Sequence, residues 1–160
     1  MTLLEQIQKE HAAAFTHGGK FHADDVFSAA LLLHFNPQLT IQRGNRVPED
    51  FDGIVFDIGR GEYDHHQKDS RIRENQVPYA AFGLLWEALS TEILSPEMAA
   101  RFDEKFVQPL DLNDNTGGKR RGFPMCLSAT KEDFFSPQKR LTMPSLPVAS
   151  ALRECQKHRF

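Results

Sequence analysis

The run GIVFDIG, residues 53–59, is apolar on both of the faces that a strand presents, apart from a single aspartate. Alternation is what a half-solvated antiparallel strand shows; its absence argues for a strand buried on both sides, as in a parallel sheet covered by helices. A second segment makes the same demand. ADDVFSAALLLHF, residues 23–35, has helical character, acid in its first turn and apolar residues nearly all round. Such a helix must be buried rather than laid on a surface. Apolar Ala12 to Thr16, ended by Gly18-Gly19, reads as a first strand, and Leu39-Thr40-Ile41 as a second. Beyond Pro78, YAAFGLLWEALS reads as a helix in which Gly83 lowers the propensity and so implies close packing. Ser95-Pro96-Glu97 combines an N-cap with proline at the first helical position. Ala99, Phe102, Phe106 and Leu110 then form a core stripe, and Pro109 is expected to bend or end that helix. Thr2 to Glu10 reads as a short amphipathic helix. The sum is an α/β fold, a parallel sheet flanked by helices, with its site beyond the carboxyl ends of the strands.

At 160 residues the chain can bury ~70% of its unfolded surface around one core. No apolar stretch approaches the length of a membrane span, so no membrane partner is expected. The N-terminal MTLLEQIQKEHAAAF carries Glu5 and Glu10 where a secretion signal needs unbroken apolar sequence. Cys126 and Cys155 are too far apart for a disulfide framework or a zinc pair, and the expected compartment is a reducing cytoplasm. Charge is unevenly spread. Residues 1–115 hold 10 Lys/Arg against 19 Asp/Glu, whereas residues 116–160 hold 9 against 3. A boundary is therefore expected near Thr116, giving a domain over 1–117 and a basic tail over 118–160. That tail reads as a solvated, poorly ordered extension, or as an arm attracted to phosphate backbones.

The chemistry concentrates in THGGKFHADD, residues 16–25. Its Gly-Lys pair suggests a phosphate loop, yet the Walker pattern fails: Ala14 stands where the first glycine belongs, and Phe21 follows Lys20. Metal binding fits better. His17 falls at a strand end, and His22 and Asp24 fall where the next helix begins, a His-x4-His-x-Asp spacing. Residues two apart on a helix point ~200° away from each other, so His22 and Asp24 could hardly grip one ion from mid-helix, whereas at a loop-to-helix entry they can flank a site and serve two ions. Asp57 interrupts Ile-Val-Phe-Asp-Ile-Gly, where a carboxylate is costly unless a ligand satisfies it. Tyr63-Asp64-His65-His66-Gln67 follows. Imidazole and carboxylate without thiolate suit manganese, magnesium, cobalt or iron better than structural zinc. Two such ions ~3.5–4 Å apart would activate water and steady a phosphoryl group.

THGGKFHADD, IVFDIGRGEYDHHQ, VPYAAFGLLWEAL and LDLNDNTG, in that order over about residues 14–117, resemble the DHH phosphoesterase superfamily. Within it they are most similar to the melanocyte-proliferating-gene family of metal-dependent, exonuclease-like proteins. The resemblance implies one divalent ion on His17, His22 and Asp57, and a second on Asp24, Asp57, His65 and either Asp111 or Asp114. Asp57 would bridge them, and His66 would face the substrate phosphate. The implied cofactor is a pair of Mn²⁺ ions, with Mg²⁺ or Co²⁺ as substitutes. The implied activity is hydrolysis of phosphodiesters, with a nucleic acid or nucleotide as substrate and RNA or DNA ends as the target.

Physical argument adds three roles. Asp64 is placed to fix an imidazole tautomer. His66, if protonated, would offset charge developing in the transition state. Arg43, Arg46 and Lys20 could contact phosphate oxygens, although Arg-Gly-Asn-Arg departs from the family's Arg-Thr-Arg-Asp. After Asn115-Thr116-Gly117 the sequence GKRRGFPMCLSATKEDFF matches nothing in the family, which continues into a second domain. The expectation is a chain shortened or altered in frame after about Gly117. That leaves two further readings: a metal-loaded but inactive module that associates with itself or another chain, and a small-nucleotide phosphodiesterase or pyrophosphatase.

Overall fold

The computed structural model describes residues 1–117. The basic tail over 118–160 and both cysteines lie outside the described residues. Three parallel strands form the sheet: β1 (Ala13–His17) in the centre, β2 (Thr40–Gly44) on one side and β3 (Ile54–Val55) on the other. Ala14 pairs with both Ile41 and Ile54, and His17 stands opposite Gly44 at the carboxyl edge. The chain moves from β1 to one neighbour and then crosses to the other. That reversal puts a crevice at the carboxyl end of the central strand, where ligands of open α/β sheets bind. β3 is shorter than the sequence suggests. Past Val55 the chain makes only an isolated bridge between Phe56 and Tyr63, then turns through left-handed backbone at Asp57, Gly59 and Arg60.

Helix α1 (Leu3–Ile7) is shorter than expected and opens on a reciprocal cap. The Thr2 hydroxyl accepts from the Glu5 amide, and the Glu5 carboxylate accepts from the Thr2 amide. Helix α2 (Ala23–Phe35) is buried over most of its length, as its all-round apolar sequence requires. It packs against α3 (Ala81–Leu89) and its own continuation of the core, with the Phe27 and Phe82 rings 5.5 Å apart. Ser95 caps α4 (Pro96–Phe102), its hydroxyl accepting from the Met98 amide. The Trp86 and Phe102 rings, 4.6 Å apart, tie α3 to α4. Full burial of a large side chain of this kind stabilises by ~1.5–3 kcal/mol.

Pro109 does not end the helix. The chain passes through a π-helical stretch, Asp103–Val107, and continues as α5 (Gln108–Asn115) with Pro109 in its first turn. The wider π turn before it accommodates the proline ring and the missing amide. The extension matters, because α5 carries Asp114 and Asn115 towards the sheet crevice. Among the described residues, no helix is long and apolar enough to cross a membrane.

Candidate metal centre

Four local structures deliver the side chains. His17 is the last residue of β1, and the Gly18-Gly19 turn follows it. His22 is the N-cap residue of α2, so Asp24 and Asp25 occupy its first turn, where the free amides and the helix dipole favour acids. Asp57 lies two residues beyond β3 with φ of 54°, a left-handed conformation that aspartate tolerates better than most residues. A closed loop then returns His65 and His66: the Asp57 amide donates to Tyr63 O at 2.9 Å, and the Asp64 amide to Gly61 O at 3.3 Å. Asp114 arrives from the last turn of α5.

Asp57 lies between two sets of groups. Its Oδ2 is 3.2 Å from His17 Nε2, and its Oδ1 is 3.0 Å from His65 Nε2. His65 Nε2 is also 3.3 Å from Asp114 Oδ2, and Asp114 Oδ1 is 3.2 Å from His22 Nδ1. Four overlapping triads have ligand atoms within 4.8 Å of one another: Asp57-His65-His66, His17-Asp25-Asp57, His22-Asp24-Asp25 and Asp24-His65-Asp114. Both oxygens of Asp24, Oδ1 of Asp57 and Nε2 of His65 are buried with no aligned hydrogen-bond partner. Unsatisfied buried carboxylate oxygens are rare and costly. Their convergence on one pocket of lone pairs is what a divalent cation would satisfy.

The electrostatics describe the same pocket with protons in place of metal. Burial, then the carboxylates of Asp57, Asp114 and Asp25, push Asp24 well above the usual range. Burial also raises Asp25, against the opposing pull of His17. For Asp57 burial is overcome: the His17 and His65 imidazoles hold its carboxyl well below the ordinary value. His17 in turn is raised to about 10 by its bond to Asp25 and then by Asp57. Burial opposes the charge on His65, yet Asp57 and then Asp114 raise it overall. His17 Nε2 thus lies between the Asp25 and Asp57 carboxylates, 3.0 and 3.2 Å away, where a cation could also sit.

The sequence model of the MYG1_exonuc family, described as uncharacterised protein family UPF0160, matches residues 13–122. The chain belongs to this family. No curated protein and no solved structure matches the chain. The MYG1_exonuc match spans every residue named at the pocket, and the family's exonuclease name and the metal-capable His/Asp groups agree on a metal-dependent hydrolase.

Within this MYG1_exonuc domain the structure brings His17, His22, Asp24, Asp57, His65 and Asp114 together. Asp111 joins none of the triads. It pairs with Arg73 Nη1 at 2.8 Å, and its Oδ1 accepts from the Gly83 amide at 3.1 Å. Of the two aspartates on α5, Asp114 is therefore the one at the pocket. His22 sits with Asp24 and Asp25 rather than directly beside Asp57. Asp64 acts on its neighbours: Oδ1 accepts from both the amide and Nδ1 of His66, at 3.1 and 2.8 Å, and Oδ2 from the Arg60 amide at 2.7 Å. Those bonds hold Asp64 below the ordinary carboxylate range although burial pulls the other way. The His66 side chain is 58% exposed and stands at the mouth of the pocket.

The phosphate contacts expected of the arginines are a different matter. Arg43 donates from Nε to His17 O at 3.2 Å and from Nη2 to Gly19 O at 2.6 Å, and its guanidinium lies 3.6 Å over the Phe21 ring. It braces the 17–21 loop instead of reaching outward. Arg46 pairs with Glu49 at 2.8 Å on the open surface. Lys20 is exposed on the loop between His17 and His22. Sequence reasoning missed Asp25, a fully buried carboxylate that accepts from Thr16 Oγ1, His17 Nε2 and the His22 amide. The signal was present: an acid at the third helical position commonly reaches back to the N-cap amide.

Proposed function

We propose that this chain is a phosphodiester hydrolase, a nuclease acting on RNA or DNA ends with two divalent cations, Mn²⁺ foremost. The observation that carries the reading is the Asp57 carboxylate, which presents one oxygen towards His17 and the other towards His65 and so suits a bridging ligand. His17, His22 and Asp57 would hold one cation; Asp24, Asp57, His65 and Asp114 would hold the other. Bound there, the pair would supply Lewis-acid stabilisation of the phosphoryl oxygens and a water acidified enough to attack at neutral pH.

The chain's own groups do the rest. His66 donates Nδ1–H to Asp64, and its Nε2 can donate to a substrate phosphate once the ring is protonated. In its protonated form it offsets the charge that develops as the ester P–O bond breaks. Arg43 keeps the 17–21 loop in place through two carbonyl bonds, so that His17 and His22 stay at their positions. Lys20, exposed on that loop, is available to the phosphate chain that enters the crevice. A cytoplasmic setting belongs to this reading, since two widely spaced cysteines suit a reducing compartment.

The test is release of nucleoside monophosphates from short RNA and DNA with and without Mn²⁺, beside Asp57→Asn. Activity should require the metal and fall by several orders of magnitude in the variant, because both cation sites lose a ligand at once. Equal turnover by the variant removes the assignment. Inorganic pyrophosphate and dinucleotides belong in the same panel: preference for them over oligonucleotides would replace the nuclease reading with a small-substrate hydrolase.

A further inference from the structure

Asn115 closes α5 directly after Asp114, and its side chain touches three groups. Nδ2 donates to the Tyr79 carbonyl at 3.1 Å and to the Asp111 carbonyl at 2.9 Å, while Oδ1 lies 3.3 Å from His65 Nδ1. This arrangement leaves no choice of orientation. A side-chain amide has two N–H donors and one oxygen. Both donors meet backbone carbonyls, which can only accept; a flipped amide would set oxygen against two oxygens and turn N–H groups towards the ring. The amide oxygen therefore faces His65, and Nδ1 can make that contact only by carrying a hydrogen. In the neutral ring the hydrogen on Nδ1 leaves Nε2 as a bare lone pair. Nε2 is the atom 3.0 Å from Asp57 Oδ1 and 3.3 Å from Asp114 Oδ2, buried and without an aligned partner.

We propose that Asn115 is a positioning residue of the metal centre: it fixes the His65 tautomer and ring plane so that Nε2 faces the cation pocket ready to coordinate. The inference rests on the metal reading of the pocket and adds a residue that none of the ligand triads contains. It also accounts for the neighbouring placement of Asp114 and Asn115. One turn of α5 supplies a carboxylate to the pocket and, through the next residue, the constraint on the imidazole beside it. Outer groups that orient metal-binding histidines typically matter by 10–100-fold in metal affinity.

Two measurements on the full chain test this. Calorimetric titration with Mn²⁺ should show Asn115→Ala binding about 10–100-fold more weakly than the unaltered chain. Asn115→Asp, which keeps an acceptor against Nδ1 but loses both N–H ties, should bind clearly better than Asn115→Ala. In the metal-free chain labelled with ¹⁵N-histidine, His65 in its neutral form should show hydrogen on Nδ1 and a bare Nε2, and Asn115→Ala should lose that preference. A purely architectural tie to the Tyr79 carbonyl predicts otherwise: the two variants would be equally impaired and the tautomer unmoved, which overturns the proposal. No Mn²⁺ binding by the unaltered chain removes the metal centre and this role with it. Binding left unchanged by Asn115→Ala removes the role of Asn115 alone.

Discussion

Asp24 is fully buried, neither of its oxygens has a hydrogen-bond partner, and Asp57, Asp114 and Asp25 surround it. A carboxylate in that position opposes folding whenever it ionises, because desolvation and three like charges act on it together. Asp24→Asn should therefore stabilise the metal-free protein at neutral pH by about 1–2 kcal/mol, the usual scale for relieving a functional site, and raise Tm by several degrees. On the proposed metal reading, the unaltered chain should gain Tm in Mn²⁺ and the same variant should lose that gain. Thermal melts in chelator and in Mn²⁺ read both effects, and a metal-free variant less stable than the parent contradicts the account. At this scale the meeting of most of these side chains was legible in advance, because they cluster in short blocks of His and Asp at strand ends. The choice between Asp111 and Asp114 was not. The two lie on one turn of one helix, and the partner that claims Asp111 is Arg73, from a distant loop. The bracing bonds of Arg43 were not legible for a related reason: a guanidinium that holds backbone carbonyls has the same sequence appearance as one that waits for phosphate.

Helix α3 shows why an apolar helix can contain a glycine. A Cβ at Gly83 would collide with the Asp111 carboxylate, and would come within 2.8 Å of Arg73 Nη2. Bare backbone at that point lets the Asp111 side chain lie against the helix and accept from the Gly83 amide, while Arg73 binds it together with Asp103. The arrangement locks α5 to α3 and to the 71–79 loop, and α5 is the element that presents Asp114 and Asn115. Gly83→Ala should cost about 3 kcal/mol or more, since displacing Asp111 leaves a buried guanidinium short of a partner as well as overpacking the contact. Urea unfolding measures it; a loss within a few tenths of a kcal/mol would show that the helices separate freely there. The effect should reach the pocket, with weaker Mn²⁺ binding although no ligand has changed. Element boundaries were readable where local chemistry sets them, as at Ser95-Pro96 and at the Gly18-Gly19 turn. They were not readable where tertiary packing decides. The strand at residues 53–59 shrinks to Ile54–Val55 because the chain must turn at Asp57 to aim its carboxylate. The helix expected to bend or end at Pro109 runs on because a π turn before it takes up the ring.

For the whole molecule, the proposed metal centre sets proton and metal in competition for one pocket, and this gives stability a pH dependence whose sign depends on the metal. In the metal-free chain His17 is raised to about 10 from an ordinary 6.5, by Asp25 first and then Asp57. A raised histidine stabilises the fold fully below the unfolded value and stops doing so as pH climbs through the folded one, so its contribution fades between about 6.5 and 10. Asp24, also raised, slopes the same way, because the folded chain again holds a proton that the unfolded chain releases. Asp57 and Asp64, both lowered, act only at the acid end: their stabilisation is complete above the ordinary carboxylate range and disappears below it. The metal-free protein should accordingly be most stable in mildly acid solution and lose Tm steadily as pH rises towards 9. Cation binding reverses this trend. Ligand atoms must shed their protons before they coordinate, so affinity increases with pH over the interval in which metal-free stability falls. The gap between Tm in saturating Mn²⁺ and Tm in chelator should widen from pH 6 to 8.5, by the extra stabilisation that tighter binding provides. Calorimetry at pH 7.5 in buffers of different ionisation enthalpy should find protons released as Mn²⁺ binds. A gap that stays constant with pH, together with no proton release, would mean that the histidines and aspartates of this pocket pair with one another and not with a cation.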